Sequence, residues 1–354
     1  MKREYCDIIA HKQIVLYGIG VQFQECYKLF NEYNLLLCDS DFKKIGKKID
    51  ENIIISPEEL TNRMIEDSVV VITSIKNQYE IAQYLCNKMM ISNDKIFTYT
   101  SKWYEDHIYN PQLIKSNWNR ILSCADKLED DESKKYYINS ALARLTRNPK
   151  YLVPNSNVKV LGEYADKVIF QEGDQIIDCG AYTGDTAELY INKLQGDCYV
   201  YAIEPSLENY GKMIERISEK HLEKNVDPIC CAVADEDKET KICYNENDFG
   251  MGMGLLKEDG SIEQRVLVRT LDSLFADKKI TYIKMDVEGE EKAALIGGNY
   301  VIKNNKPRLM ISGYHKVEDL WEIPETIWGI DKNYKIYVGH APGVSMELEF
   351  YCTI

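Results

Sequence analysis

Apolar and polar runs begin to alternate at residue 13. Gln13-Ile14-Val15-Leu16-Tyr17 reads as a short buried strand, and a helix-like stretch runs from Gly18 and Gly20 to about residue 34. Leu35-Leu36-Leu37-Cys38-Asp39 is a second strand ending in an acid, and further strand-like runs at 69–74 and 95–99 flank an amphipathic stretch. This rhythm predicts βαβ units on a parallel sheet. Between about 101 and 165 the strand signal vanishes, helix-like periodicity is interrupted by a charged run at 130–135, and Pro149 and Pro154 close the region. From 174 the alternation resumes, with strands expected at 175–179, 198–203, 228–233, 280–285, 308–312, 335–339 and 347–351. Helical stretches separate the first five, whereas only a Gly/Pro turn, Gly339-His340-Ala341-Pro342-Gly343, separates the last two. The expected architecture is α/β. A smaller N-terminal Rossmann-like βαβ domain (1–104) and a helical connector (105–165) precede a larger domain (166–354) of βα units closed by an antiparallel hairpin.

Composition narrows this picture modestly. A chain of 354 residues has room for two or three domains, and 45% hydrophobic with 28% charged residues is ordinary for a globular protein. No apolar run approaches the roughly 20 residues of a membrane span, and the start lacks a signal-peptide core, so a cytoplasmic location is expected. The formal charge of −14 argues against a broad nucleic-acid surface. The 11 cysteines include no C-x-x-C pair, and several lie inside apolar runs, so free core thiols are expected rather than a disulfide framework. The 25 tyrosines are scattered and carry no pattern.

The chemistry concentrates in Asp178-Cys179-Gly180-Ala181-Tyr182-Thr183-Gly184, a turn after the first strand of the larger domain. In an open parallel sheet, ligands bind beyond the carboxyl ends of strands where the strand order reverses. Glycines at 180 and 184 permit close backbone approach, and a helix starting near Thr186 offers free N–H groups. Glu204, at the end of the next strand, is placed to accept both hydroxyls of a ribose. A pyrophosphate wants G-x-G-x-x-G with no acid beside it, whereas Asp178 precedes the first glycine here. An acid there would attract an ammonium group. An ammonium, a ribose and an adenine together describe S-adenosylmethionine.

The sequence resembles the FkbM-type family of S-adenosylmethionine-dependent methyltransferases. The matching segments are DCGAYTGDT, AIEPS, CCAVADEDKE, TLDSLFADKKITYIKMDVEGEEKAALIGG and KPRLMISGYHKVEDLWEIP, with the closing EFYC, over roughly residues 165–354. The resemblance implies a seven-stranded Rossmann-like methyltransferase sheet ending in an antiparallel hairpin. It implies that Asp178, Gly180 and Gly184, with Ala181 and Thr183 of the same turn, line the methionine part of the cofactor. Glu204 would bind the ribose, and Ala234-Asp235 would approach the adenine. Asp286, Glu288 and Gly289 would lie beside the methyl group. The family often has an aromatic-rich stretch near the last hairpin, where this chain has Val338-Gly339-His340-Ala341-Pro342-Gly343.

Methyl transfer to an alcohol gains from positioning and from a base. His315, just past the 308–312 strand, is the first expected base and Asp286 the second. The acids Asp286, Glu288, Glu290 and Glu291 could hold a divalent ion, but Glu290 and Glu291 read more simply as a helix start, and no metal is expected. Gly250-Met251-Gly252-Met253-Gly254 reads as a lid or a loose hairpin. The expected activity is O-methylation of a sugar hydroxyl on a glycan or nucleotide-activated sugar. The acceptor is thus a small molecule or glycan, with a homo-oligomer possible and neither nucleic acid nor a membrane span involved. The alternative rests on Gly18-Ile19-Gly20 with Asp39, the start of a dinucleotide fingerprint. It would make the chain an NAD(P)-dependent sugar oxidoreductase or epimerase, or a nucleotide-sugar-binding accessory protein.

Overall fold

The computed structural model describes residues 6–20, 22–74, 77–99, 108–153, 157–158, 162–244, 262–340 and 347–354. These residues pack as two units. One draws on the chain up to Asn119 and on 135–153, the other on Arg120–Lys134, 157–340 and Glu347–Ile354. Among the described residues no helix is long and apolar enough to cross a membrane.

The first unit holds β1 (Gln13–Tyr17), β2 (Leu35–Cys38), β3 (Lys48–Ile49), β4 (Asn52–Ile55), β5 (Ser68–Ile72) and β6 (Ile96–Thr98) in the order β3-β4-β2-β1-β5-β6. Every residue of β1 and β5 is buried, as expected of parallel strands covered on both faces. Phe23, Tyr27 and Phe30 fill one face, and Leu60, Ala82 and Leu85 fill the other. Helices Pro111–Ser116, Trp118–Lys127 and Asp131–Thr146 follow, which is the strand-free stretch expected from the sequence.

The second unit is larger. Its strands are β7 (Asp174–Cys179), β8 (Cys198–Ile203), β9 (Val226–Ile229), β10 (Ala232–Val233), β11 (Lys238–Tyr244), β12 (Ile262–Arg269), β13 (Tyr282–Met285), β14 (Arg308–Ser312), β15 (Lys335–Gly339) and β16 (Glu349–Thr353). Seven of them form one sheet, ordered β15-β16-β14-β13-β7-β8-β9, in which β16 lies antiparallel between β14 and β15. The closing hairpin is therefore present. The first strand, β7, sits between β13 and β8 and is parallel to both, so the strand order reverses beside it. The single strand expected at 228–233 is two strands. β9 stays in the main sheet, and after Cys230 and Cys231 the chain leaves it so that β10 pairs with β12 in a separate three-stranded sheet, β10-β12-β11. The Gly250–Gly254 run lies outside the described residues.

The scattered tyrosines acquire a role here. Phe170 packs against Tyr190 and Tyr282 with ring centroids 4.5 and 4.8 Å apart, and Tyr164 stacks on Tyr337 at 4.9 Å. They belong to one buried cluster with Ile176, Val200, Met310 and Tyr351. Tilted and stacked ring pairs of this kind add stabilisation beyond the area they bury. Cys26, Cys38, Cys86, Cys124, Cys179, Cys198, Cys230, Cys231 and Cys352 are free, and all but Cys86 and Cys230 are buried.

Candidate active site

The reversal beside β7 opens a cleft of about 430 Å³ at the carboxyl ends of β7, β8 and β13. Its first wall is the turn after β7. Gly180 has φ +78°, and a Cβ there would stand 1.9 Å from the Asp286 carbonyl oxygen, so only glycine lets β7 and β13 end side by side. The Gly180 and Ala181 amides donate to the Ile203 carbonyl at 3.0 and 2.9 Å, which ties the turn to β8. Gly184, in the left-handed region, caps helix Asp185–Lys193 without any side-chain hydrogen bond, leaving the first-turn amides of that helix for a ligand.

Glu204 forms the second wall. One carboxylate oxygen accepts the Tyr182 amide at 3.0 Å and the other accepts the Ser206 amide at 2.9 Å. Burial pushes its carboxyl up to about 7, with those hydrogen bonds and that from Asn209 working the other way. The turn carrying it is clasped by Gln264 of β12, whose amide donates to the Pro205 carbonyl at 2.8 Å and accepts from the Leu207 amide at 3.0 Å. Ala234 and Asp235, just past β10, line the same cleft.

Asp286, just past the end of β13, is the fifth residue of the expected cofactor set on the wall. Both its oxygens accept the Tyr314 hydroxyl at 3.0 Å. Glu349 reaches the cleft from β16; burial pushes its carboxyl up to about 8, opposed by a hydrogen bond from the Tyr351 hydroxyl. Eight carboxylates and two lysines line the cleft in all, so it presents a strongly negative interior.

Four residues of the expected cofactor set stand off this wall. Asp178 is 0% exposed and points into the sheet, where its carboxylate lies 3.1 Å from the Lys284 ammonium. The two are register partners on β7 and β13. Lys284 also donates to the Gly180 carbonyl at 2.8 Å. Burial alone would depress that ammonium, but the charges of Asp178 and Asp286 more than offset it and hold it protonated. Asp178 therefore neutralises a lysine of its own sheet and braces the glycine turn; it does not meet an ammonium in the cleft. Ala181 is buried, Thr183 faces Arg216 at 3.5 Å, and a Cβ on Gly184 would point at Met213. These residues shape the turn from behind.

His315 departs from its expected role as base. It is 9% exposed and stands behind Asp286, with Nδ1 2.9 Å from Glu291 and Nε2 3.4 Å from Asp286 and 3.5 Å from Glu288. Burial disfavours the charged ring, yet the three carboxylates outweigh it and hold the imidazole protonated, up to about 10. An imidazolium has no lone pair with which to take a proton. Glu291 opens helix Glu291–Gly297 with Glu290 as its cap residue, as expected from the acids. Lys284, Tyr314 and Glu349 were not singled out in the sequence. Each alternates into a strand or a strand end that reads as core.

In the first unit, Asp39 turns back on the Gly18-Ile19-Gly20 turn. It accepts the Ile19 amide at 2.6 Å and lies 3.1 Å from Lys44. A carboxylate lying on the turn amide opposes a pyrophosphate there, which weakens the nicotinamide alternative.

Residues 178–328 match the family model described as the methyltransferase FkbM domain. A crystal structure of methyltransferase FkbM from Methylobacillus flagellatus KT is 21% identical and superposes over 98% of this chain and 92% of that one, with a TM-score of 0.70. A putative rRNA-methylase from Clostridium thermocellum is 9% identical over 52% of this chain and 87% of its own, with a TM-score of 0.34. Fibrillarin from Aeropyrum pernix, solved with natively bound S-adenosyl-L-methionine, is 10% identical over 52% of this chain and 67% of its own, with a TM-score of 0.33. No curated protein matches the chain.

Proposed function

We propose that this chain, a methyltransferase carrying an FkbM domain over residues 178–328, moves a methyl group from S-adenosylmethionine to a hydroxyl of a small-molecule or glycan acceptor, in the first instance a sugar hydroxyl. The observation that carries the reading is Glu204, fixed by two backbone amides beside a turn in which Gly180 leaves no room for a side chain. The cleft fits the cofactor. Glu204 offers a carboxylate to paired hydroxyls, Ala234 and Asp235 flank the place for a base, and the first-turn amides at Asp185 and Thr186 suit a carboxylate. The negative interior suits a ligand with a net positive charge, and it favours that ligand over the neutral thioether left after transfer. When bound, the cofactor supplies an electrophilic methyl group on a sulfonium.

The residues of the chain then have distinct tasks. Tyr314 holds the Asp286 carboxylate on the cleft wall, where Asp286 can orient an acceptor hydroxyl and receive its proton. Bases so placed typically contribute 10²–10⁴-fold. His315, protonated behind Asp286, is a positioning residue. A wall rich in carboxylates hydrogen-bonds readily to a neutral polyol and repels phosphate. Of the two acceptor forms, the glycan is therefore favoured over the nucleotide-activated sugar.

Calorimetry with S-adenosylhomocysteine and with NAD tests the premise; binding of NAD alone would sink it. Glu204→Gln should weaken S-adenosylhomocysteine at least about tenfold, the scale of one hydrogen bond to a charged group. Because the ionised carboxylate is the better acceptor and Glu204 titrates at about 7, wild-type affinity should rise as pH increases through 7, and the variant should lose that rise. A screen of polyols and oligosaccharides with labelled methyl donor would identify the acceptor.

A further inference from the structure

The part of the cleft wall built by β14 and β16 carries hydrogen-bonding groups that the protein leaves unused. Glu349 opens β16 opposite Ser312, the last residue of β14, and opposite Gly339 of β15. Facing residues of an antiparallel pair point to one side of the sheet, with Cβ atoms about 4.5–5.5 Å apart. Ser312 and Glu349 therefore share a face. Met310, two positions back on β14, is on it too, and Glu349 and Met310 both line the cleft. The Ser312 hydroxyl is 1% exposed and has no hydrogen-bond partner among the described residues. Glu349 is 2% exposed; its Oε2 accepts the Tyr351 hydroxyl, and its Oε1 has no hydrogen-bond partner among the described residues. Buried polar groups in folded proteins are nearly always paired. Two adjoining ones left open on a cleft wall mark a place where a ligand supplies the partner.

The protonation of Glu349 decides what that partner is. The titratable groups facing it are Tyr282, Lys284 and Asp286 from β13 and its end, Tyr190 from helix Asp185–Lys193, and Glu347 and Tyr351 from its own segment. Burial, helped by Glu347 and Asp286, outweighs the Tyr351 hydrogen bond and Lys284 and pushes the carboxyl up to about 8. Near pH 7 Glu349 is thus mostly a neutral acid with one O–H to give. Because Oε2 accepts from Tyr351, the proton belongs on Oε1, the oxygen left without a partner. A hydroxyl satisfies both open groups at once. Its oxygen accepts from Glu349, and its hydrogen goes to Ser312 Oγ.

The strand order says which molecule brings that hydroxyl. From Glu204 after β8, the sheet runs through β7 and β13, which Asp286 follows, to β14 and β16. At about 4.8 Å per strand, Glu349 lies roughly 19 Å across the sheet from Glu204, beyond Asp286. That is the side away from the ribose end of the cofactor.

We propose that Glu349 and Ser312 bind a second hydroxyl of the acceptor, adjacent to the one that reacts, so that the cleft selects vicinal diols. The inference rests on the methyltransferase reading and gives it a substrate class: a 1,2-diol, such as a sugar ring offers, rather than an isolated alcohol. In the transfer, the reacting hydroxyl passes its proton to Asp286 and its oxygen bonds the methyl carbon, while the electron pair of the broken carbon–sulfur bond stays on sulfur. Glu349 exchanges no proton; it fixes which oxygen is presented.

The test uses labelled S-adenosylmethionine with cis- and trans-1,2-cyclohexanediol, 1,4-cyclohexanediol and cyclohexanol. At pH 7 a 1,2-diol should be methylated once, with kcat/KM at least about tenfold above the 1,4-diol and cyclohexanol, the scale of one buried hydrogen bond. Glu349→Ala and Ser312→Ala should each shrink that preference by raising KM for the 1,2-diol, with S-adenosylhomocysteine affinity unchanged. Glu349→Gln keeps a donor on the cleft side at every pH. It should retain the preference as pH rises through about 8, where the wild type loses its own. Equal use of cyclohexanol and the 1,2-diols, or an unchanged preference in Glu349→Ala, would overturn the proposal. So would methylation of none of the four by protein that binds S-adenosylhomocysteine, or a preference in Glu349→Gln that still falls above about 8. Loss of S-adenosylhomocysteine affinity in both alanine variants would also overturn it, by assigning these groups to the cofactor. Failure of the wild type to bind S-adenosylhomocysteine would sink the methyltransferase reading itself, and this inference with it.

Discussion

Lys284 shows how one residue can connect core and cleft. It sits on the central strand β13, 4% exposed, with its ammonium shared between the Asp178 carboxylate and the Gly180 carbonyl. Breaking a buried ion pair from one side leaves an uncompensated charge, at a cost of about 3–5 kcal/mol. Lys284→Met should therefore destabilise the second unit by that order in a denaturant melt, and Lys284→Met combined with Asp178→Leu should recover much of the loss. A double variant no more stable than the single one would show that the pair is not the source. At this scale the sequence was legible where a residue's role follows from its place on one strand. Glu204 and Asp286 are acids at strand ends, and they do reach the cleft. Asp178 misled, because its partner lies 106 positions further on and only the register of β7 against β13 reveals it. His315 misled for a related reason. Its protonation is set by carboxylates from the β13 end and the following helix, and no local pattern shows that convergence.

Among elements, β12 has the least obvious influence. It belongs to the small sheet, yet its Gln264 side chain clasps both sides of the turn that presents Glu204. Gln264→Ala should leave the fold intact, since the residue is only half-buried, and weaken S-adenosylhomocysteine severalfold by loosening that turn. Unaltered affinity would mean that the Tyr182 and Ser206 amides hold Glu204 unaided. The strands of the main sheet were legible because each is a compact apolar run between turn signals. β11 and β12 were not. Lys238–Tyr244 is largely polar, and in Ile262–Arg269 the buried Val266 and Val268 alternate with the exposed Arg265 and Leu267, the pattern of strands with one face in water. The break between β9 and β10 was hidden by a continuous apolar run, Pro228–Val233, in which nothing marks the change of sheet.

For the whole molecule, the negative charge is both global and focused. A formal charge of −14 is joined by a cleft lined by eight carboxylates, two of which titrate far from their ordinary range. Glu349, ordinarily at 4.5, is raised to about 8 in the folded chain, with Asp286, Glu347, Lys284 and Tyr351 around it. A raised carboxyl contributes stability that is complete below about 4.5 and is lost as pH rises through about 8. Melting temperature should thus fall across that window more steeply in the wild type than in Glu349→Gln, the gap widening with pH. Parallel curves would place the ionisation of Glu349 elsewhere. The two larger sheets and the α/β class were legible in the alternation of runs. The focusing of charge was not, because it arises only when the ends of β8, β10, β13 and β16 meet.

The position of β16 bears on the order in which the protein can be made. In the sheet, β15 bonds only to β16, and β16 in turn completes the edge of β14. As the chain leaves the ribosome, β15 emerges before it has any strand to join, and β14 is left with a bare apolar edge. Neither is relieved until Glu349–Thr353 slides between them. The same segment delivers Glu349 to the cleft, so that wall is finished by the last strand to join this sheet. Before that step, the nascent sheet exposes the kind of open edge on which other chains assemble.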